Sequence, residues 1–139
     1  MKFVMASEAT EENIDAALDA AFEKVVSKEV HGAIFGKKYV QVVVDTVCNE
    51  RRVERADVLS ANRVRPVAWA RQEAQYIVHR TTVKTFPQIG KEFDRDHTTV
   101  IHSINAVKRR MKDAEYKSEV GRMMVEARNR YEKINPVPR

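Results

Sequence analysis

Hydrophobic residues recur at steps of three and four along most of this 139-residue chain, the spacing that gathers apolar side chains on one face of a helix. Residues 11–31 show it through Ile14, Ala17, Leu18, Ala21, Phe22, Val25, Val26 and Val30, with Thr10 placed to cap the helix, and "HGAIFGKK" after it reads as a loop. "YVQVVVDTVCNE" is ambiguous in isolation because its valines suit a strand; with no partner strand nearby, a helix is favoured. A short helix is expected at "ERADVLS", with Val53, Val58 and Leu59 closing one end of the core, and "ANRVRP" is expected to be exposed loop. Residues 67–80 form a strongly helical stretch whose buried stripe is Val67, Ala70, Ala74, Ile77 and Val78, with Trp69 a further core candidate.

Two junctions are more explicit. In "TTVKTFPQIGKEF", Thr85 is an N-cap, Pro87 lies in the first turn where its missing N–H is harmless, and Gln88 completes a capping box. After a turn of about three residues, Asp96 caps a longer helix whose inward face is Val100, Ile101, Ile104, Val107 and Met111. Thr98, His102, Asn105 and Arg109 form its outward polar row, and His97 and Thr98 sit at its projecting tip. A last helix over residues 114–133 carries Val120, Met123, Met124, Ala127 and Tyr131, which either pack within the chain or pair with another, and "INPVPR" is a frayed tail.

Composition agrees with an all-α protein: Gly and Pro number four each, too few for many hairpins. The net charge is +5, and its distribution matters more than its size. Residues 1–60 hold 8 basic and 11 acidic side chains, residues 61–112 hold 11 and 4, and residues 113–139 hold 6 and 5. The middle of the chain is thus a basic block, suited to a polyanion, with a solvated basic helix face as the plainer reading. The single cysteine, Cys48, allows no intrachain disulfide and is expected in the core of a protein from a reducing compartment. The first residues lack the apolar run of a signal peptide, and nothing approaches the roughly 20 apolar residues needed to span a bilayer. A cytoplasmic, nucleoid-associated protein without membrane contact is expected.

A short capped helix, a tight turn and a longer helix with a polar tip describe a helix-turn-helix. The second helix can enter the major groove tip first, offering hydroxyls, methyls, an imidazole and a carboxylate to base edges, while arginines neutralise phosphates. Helix-turn-helix geometry also occurs in proteins that bind no DNA; the basic block tips the balance towards DNA. Enzymatic signatures are absent from the sequence. It has no phosphate-cradling G-x-x-x-x-G-K-[ST], and His97 and His102, about 140° apart on a helix, do not match the H-E-x-x-H zinc pair. Asp94 and Asp96 are better explained as a solvated turn and a cap than as an acid–base pair, and His31 and His79 are lone histidines with structural or exposed roles. No catalytic residue, cofactor or metal is expected.

Residues 53–111, through "ADVLSANRVRP", "ARQEAQYIVHRTT", "TFPQIGKEF" and above all "RDHTTVIHS", resemble the C-terminal DNA-binding domain (domain IV) of DnaA, the bacterial chromosomal replication initiator. The resemblance implies a Trp-repressor-like helical bundle in which Asp96, His97, Thr98 and Thr99 read bases in the major groove. It implies that Arg63 enters the adjacent minor groove, where a narrow A·T-rich groove attracts guanidinium, and that Arg71 and Gln72 contact backbone phosphate. Three departures stand out. Asp94 alone follows Phe93 where the family commonly has two small residues, which would shorten the turn and re-aim the helix. The Lys-Arg pair that precedes the position of Arg63 is missing, and Ala70 replaces a common proline. No ATPase domain precedes the matching region in this sequence, so a stand-alone relative is expected, such as a small bacterial replication regulator or a phage or prophage protein.

The expectation is an all-α helical bundle with an N-terminal helical extension (residues 1–36), a helix-turn-helix DNA-binding domain (37–134) and a tail (135–139). Its function would be sequence-specific binding of double-stranded DNA at initiator-type boxes, modulating replication initiation or transcription. The candidate DNA-binding residues are Arg63, Arg65, Arg71, Gln72, Lys84, Arg95, Asp96, His97, Thr98, Thr99, His102 and Arg109, with Arg110 joining Arg109 as dipole complement and phosphate contact. Alternatives are an adaptor acting on the replication initiator or helicase machinery, or pairing with a second copy of itself, or a phage-type transcription regulator. An enzyme fragment such as part of a recombinase would need a carboxylate cluster that the sequence lacks.

Overall fold

The computed structural model describes residues 37–134; the expected helix over 11–31 with its cap Thr10, most of the loop after it, and the tail lie outside the described residues. Six helices follow in order: α1 (Lys37–Arg51), α2 (Arg55–Val58), α3 (Arg65–Thr81), α4 (Phe86–Phe93), α5 (His97–Arg110) and α6 (Ala114–Ile134). No strand occurs among the described residues, so the domain is all-α.

The valine-rich segment becomes α1 because the tertiary setting overrides its strand propensity. Tyr39, Val40, Val43, Val44, Val47 and Cys48 are all buried where α1 packs on α3 and α6. Each fully buried valine contributes about 1.5–3 kcal/mol relative to exposure. Tyr39, at the start of α1, donates to Thr81 Oγ1 at 2.6 Å near the end of α3 and meets Tyr131 of α6 edge-on, the centroids 5.2 Å apart. Arg51, at the other end, reaches Glu73 and Glu119. These contacts at both ends set α1 antiparallel to α3 and α6. Helix α1 begins at Lys37, so the expected loop runs two residues too far into it. It stops at Arg52, whose φ of 58° is left-handed, with the Val53 amide bonded back to the Cys48 carbonyl at 3.1 Å.

Helix α3 is the central element, packed against α1, α4, α5 and α6. Val67, Ala70, Ala74, Ile77 and Val78 are buried as the periodicity predicts. The helix starts two residues before the predicted stretch, at Arg65, with Pro66 in its first turn. "ANRVRP" is therefore loop only over residues 61–64. Two core expectations are corrected: Leu59 is 39% exposed, and Trp69 is 37% exposed. Trp69 lies at the surface with Arg110 stacked over it, the guanidinium carbon 3.9 Å from the ring centroid.

A buried polar network joins helices at this end. Glu73 is 0% exposed and takes two bonds from Arg51, Nε to Oε1 at 2.9 Å and Nη2 to Oε2 at 3.0 Å. Tyr116 donates its hydroxyl to the same carboxylate at 2.6 Å. Burial by itself would lower the Arg51 pKa, and the hydrogen bonds and charges of Glu73 and Glu119 reverse this, raising it. Burial and the adjacent Glu73 charge likewise push the Tyr116 phenol up, so it stays a donor.

In α6, Val120, Met123, Met124, Ala127 and Tyr131 are all buried within the chain, so the methionines of the last helix pack rather than wait for a partner. Val100, Ile104 and Val107 of α5 and Met111 just after it are buried as expected; Ile101 is half-buried, and Ser103 takes the remaining inward position. Among the described residues no helix is long and apolar enough to cross a membrane.

Candidate nucleic-acid interface

Helices α4 and α5 and the turn between them form the helix-turn-helix, held against α3. The predicted capping box is present: Thr85 Oγ1 accepts from the Gln88 amide at 3.3 Å, and Gln88 Oε1 accepts from the Thr85 amide at 2.8 Å. Helix α4 ends at Phe93, and Asp94 alone makes the reversal in the left-handed region, φ 55° and ψ 50°. Asp is one of the few residues besides Gly that tolerates this conformation. The amide of Arg95 then bonds back to the Gly90 carbonyl at 2.8 Å. A single left-handed residue therefore closes the turn.

This closure requires a glycine at 90. A Cβ placed there would stand 2.3 Å from the carbonyl oxygen of Arg95, a contact no side chain can make without moving the backbone. Hydrophobic spacing does not single out this position; only the glycine's place in "PQIG" before the turn hints at it.

Asp96 caps α5, its Oδ2 accepting from the Thr98 amide at 3.0 Å. The hydrogen bonds from the Thr98 amide and hydroxyl, and then the neighbouring His97, hold its carboxyl below the usual range. The carboxylate is thus charged at the positive end of the helix dipole. His97 Nδ1 lies 3.7 Å from Asp96 Oδ1. Asp96, His97, Thr98 and Thr99 are all exposed, and His102, Asn105 and Arg109 continue the exposed row along α5. The tip presents an acceptor, hydroxyl groups, methyl groups and an imidazole to whatever approaches it end-on.

Beside the tip runs the loop over residues 59–64, which carries Arg63. It has little apolar anchoring, since Leu59 and Val64 are exposed. Polar bonds shape it instead: Ser60 Oγ donates to the Asp57 carbonyl at 2.7 Å and accepts from the Asn62 amide at 3.1 Å, and Asn62 Oδ1 accepts from the Val64 amide at 2.8 Å. Arg71 holds it from below. Its Nε donates to the Val58 carbonyl at 2.7 Å, and its Nη2 faces the carbonyls of Asp57, Ser60 and Asn62 at 3.1, 2.9 and 2.9 Å.

Arg71 thus departs from its expectation. It is 7% exposed and its guanidinium is committed to backbone carbonyls rather than turned outward for phosphate. Desolvation, and then the nearby Arg95 charge, lower its pKa. Arg95 is half-buried; its Nη1 donates to the carbonyls of Phe93 and Asp94 at 3.2 and 3.1 Å and its Nη2 to the Ser60 carbonyl.

The remaining candidates fall into two groups. Arg63 and Arg65 are at the surface, Arg65 lying 5.8 Å from the Trp69 ring. Gln72, Lys84 and Arg110 are engaged within the domain. Gln72 Oε1 accepts from Arg110 Nη2 at 2.9 Å, and Lys84 pairs with Glu92 at 3.8 Å. Arg110 also donates from Nε to the Tyr116 hydroxyl at 3.3 Å, so of the two arginines ending α5 it is Arg109 that projects outward. The structure thus brings together the Arg63 loop, Arg95 and the Asp96–Thr99 tip, and sets Gln72, Arg109 and Arg110 towards the other end of α5. No group of three or more metal-ligating side chains occurs among the described residues.

Comparison with known proteins identifies the same region. The family model described as the bacterial DnaA protein helix-turn-helix matches residues 40–107. The chain is similar to the chromosomal replication initiator protein DnaA of Sphingopyxis alaskensis, 42% identical over 76 residues, covering 53% of this chain and 17% of that protein. It is also similar to the DnaA of a Thermoanaerobacter species, 31% identical over 116 residues, covering 83% of this chain and 25% of the relative. The DnaA of Caldanaerobacter subterraneus is 32% identical over 107 residues, covering 76% and 23%. The matched stretch is thus a quarter or less of each of these relatives.

Proposed function

Residues 40–107 match the bacterial DnaA helix-turn-helix family model, and from that match we propose that this chain binds double-stranded DNA at short, asymmetric, initiator-type boxes and thereby modulates replication initiation or transcription. The observation that carries this reading is the Asp96–Thr99 tip, each residue of it exposed at the start of a helix that is capped, anchored through Gly90 and flanked by the exposed Arg63. Insertion of α5 into the major groove puts His97, Thr98 and Thr99 at base edges, where each good contact discriminates by about 1–3 kcal/mol. Arg63 enters the adjoining minor groove, and Arg65 and Arg109 meet phosphates. Lys84, Gln72 and His102 contribute to the flanks of the same surface. Arg71 acts from behind the surface and Arg95 at its edge.

Selection of bound duplexes from a random pool, by the full chain, tests this directly. A box with an A·T-rich step on one side is expected. His97→Ala or Thr98→Ala should then lower affinity for the box by about 10-fold or more while leaving scrambled DNA nearly unchanged. Arg65→Ala should weaken both duplexes alike and flatten the dependence of log K on log salt by about one unit. Equal losses on both duplexes in the His97 variant would refute base reading by the tip.

A further inference from the structure

The loop bearing Arg63 and the tip of α5 are separated by more than 30 residues in sequence, and two arginine side chains that link the loop to the rest of the domain converge on one atom, the carbonyl oxygen of Ser60. That oxygen accepts from Arg71 Nη2 at 2.9 Å, rooted in the central helix, and from Arg95 Nη2, rooted in the helix-turn-helix turn. A carbonyl has two lone pairs, so both bonds can form together. Each guanidinium is fixed elsewhere as well: Arg71 on the carbonyls of Val58, Asp57 and Asn62, and Arg95 on those of Phe93 and Asp94. The arrangement sets two like charges side by side, which repel, and the shared Ser60 carbonyl together with the carbonyls that hold each guanidinium separately offsets that repulsion.

We propose that Arg71 and Arg95 are positioning residues, a two-arginine clip on the Ser60 carbonyl that fixes the Arg63 loop relative to the recognition tip, so that minor and major groove are read as one rigid ruler. The clip rests on the DNA-binding reading for its purpose, though not for its existence. Apolar packing gives the loop little other hold, because Leu59, Ala61 and Val64 are all exposed and its remaining bonds are local turns. Planar guanidinium groups suit this role because their donors are set in a fixed fork, so several bonds define one orientation. A rigid ruler tolerates no change in the distance between its two marks. One inserted base pair displaces one mark by about 3.4 Å along the duplex and rotates it by about 35°, which a fixed loop cannot follow.

Two measurements on the full chain test the clip. In a Cys48→Ala background, spin labels at Ala61→Cys and Asn105→Cys, both exposed positions, report the distance between loop and recognition helix without DNA. A narrow distribution is expected, widening clearly in Arg71→Gln and in Arg95→Met. On the selected box, inserting one base pair between the A·T-rich step and the tip's block should cost the unaltered chain about 10-fold or more in affinity. In the two variants that ratio should fall to about 3-fold or less, whatever their absolute affinity. Should Arg71→Gln fail to fold, Arg95→Met at the half-buried edge carries both readouts. Unchanged label widths, or an unchanged insertion ratio, would overturn the clip while leaving DNA binding intact. Failure of the unaltered chain to select any box would refute the DNA reading, and the label distances would still decide the clip.

Discussion

Replacing Gly90 by alanine sets two physical effects against each other, and the structure decides which wins. Gly90 lies inside α4 with an ordinary helical backbone, so helix propensity alone predicts that Gly90→Ala stabilises the domain by roughly 1 kcal/mol. The added Cβ, however, would sit 2.3 Å from the Arg95 carbonyl oxygen, and this is backbone, not the movable end of a side chain. Reaching even 3.0 Å requires α4 and the turn to separate by about 0.7 Å, while the Arg95 amide is bonded to the Gly90 carbonyl across the same gap. Overpacking that forces a backbone shift costs about 1–3 kcal/mol, and the lost or lengthened hydrogen bond adds about 1 kcal/mol. The net expectation is a loss of about 1–3 kcal/mol, which for a domain of this size lowers Tm by about 4–24 °C. Urea and thermal unfolding of the full chain, followed by circular dichroism, measure it. Because the displaced residues lead straight into Asp96 and His97, box affinity should fall more than affinity for scrambled DNA. An unchanged or raised Tm in Gly90→Ala would refute the argument, since propensity would then have outweighed the close approach.

Three further outcomes are expected. Glu73→Ala leaves Arg51 and Tyr116 without their shared carboxylate, and breaking such a buried pair should cost about 3–5 kcal/mol in denaturant unfolding; a loss under about 1 kcal/mol would show that solvent already screens the network. Arg110→Ala uncovers Trp69, the only tryptophan, so its fluorescence emission should move to longer wavelength and stability should drop by about 1 kcal/mol; an unmoved spectrum would contradict the stacked arrangement. His79, stacked on Phe86 with centroids 5.2 Å apart, has its pKa lowered by burial and then by Lys108. The unfolded chain therefore takes up the proton first, so stability is complete above pH about 6.5 and declines as pH falls below it. His79→Gln should remove that part of the slope in unfolding measured between about pH 7 and pH 5, and an identical slope in both proteins would rule out His79 as its source.

The order of helices from residue 55 onward, the capping box at Thr85 and Gln88, the Asp96 cap and the exposed row of α5 were all readable from the chain itself. Each depends on neighbours within about four residues, where side-chain spacing and backbone hydrogen bonds act locally. The sequence also carried the family motif that lies at the exposed tip of α5. Tertiary structure alone decided the rest. The valines of α1 became helical because α3 and α6 enclose them. Trp69 went to the surface under Arg110, which is far from it in sequence, and Glu73 went inside because Arg51 and Tyr116 arrive from two other helices. Arg71, which the motif marks for phosphate, turned inward to the loop carbonyls, and Gly90 proved indispensable only where the Arg95 carbonyl comes to rest. In each of these cases burial or charge is resolved by a partner beyond the reach of one helical turn, and the chain's local pattern carries no record of which partner arrives.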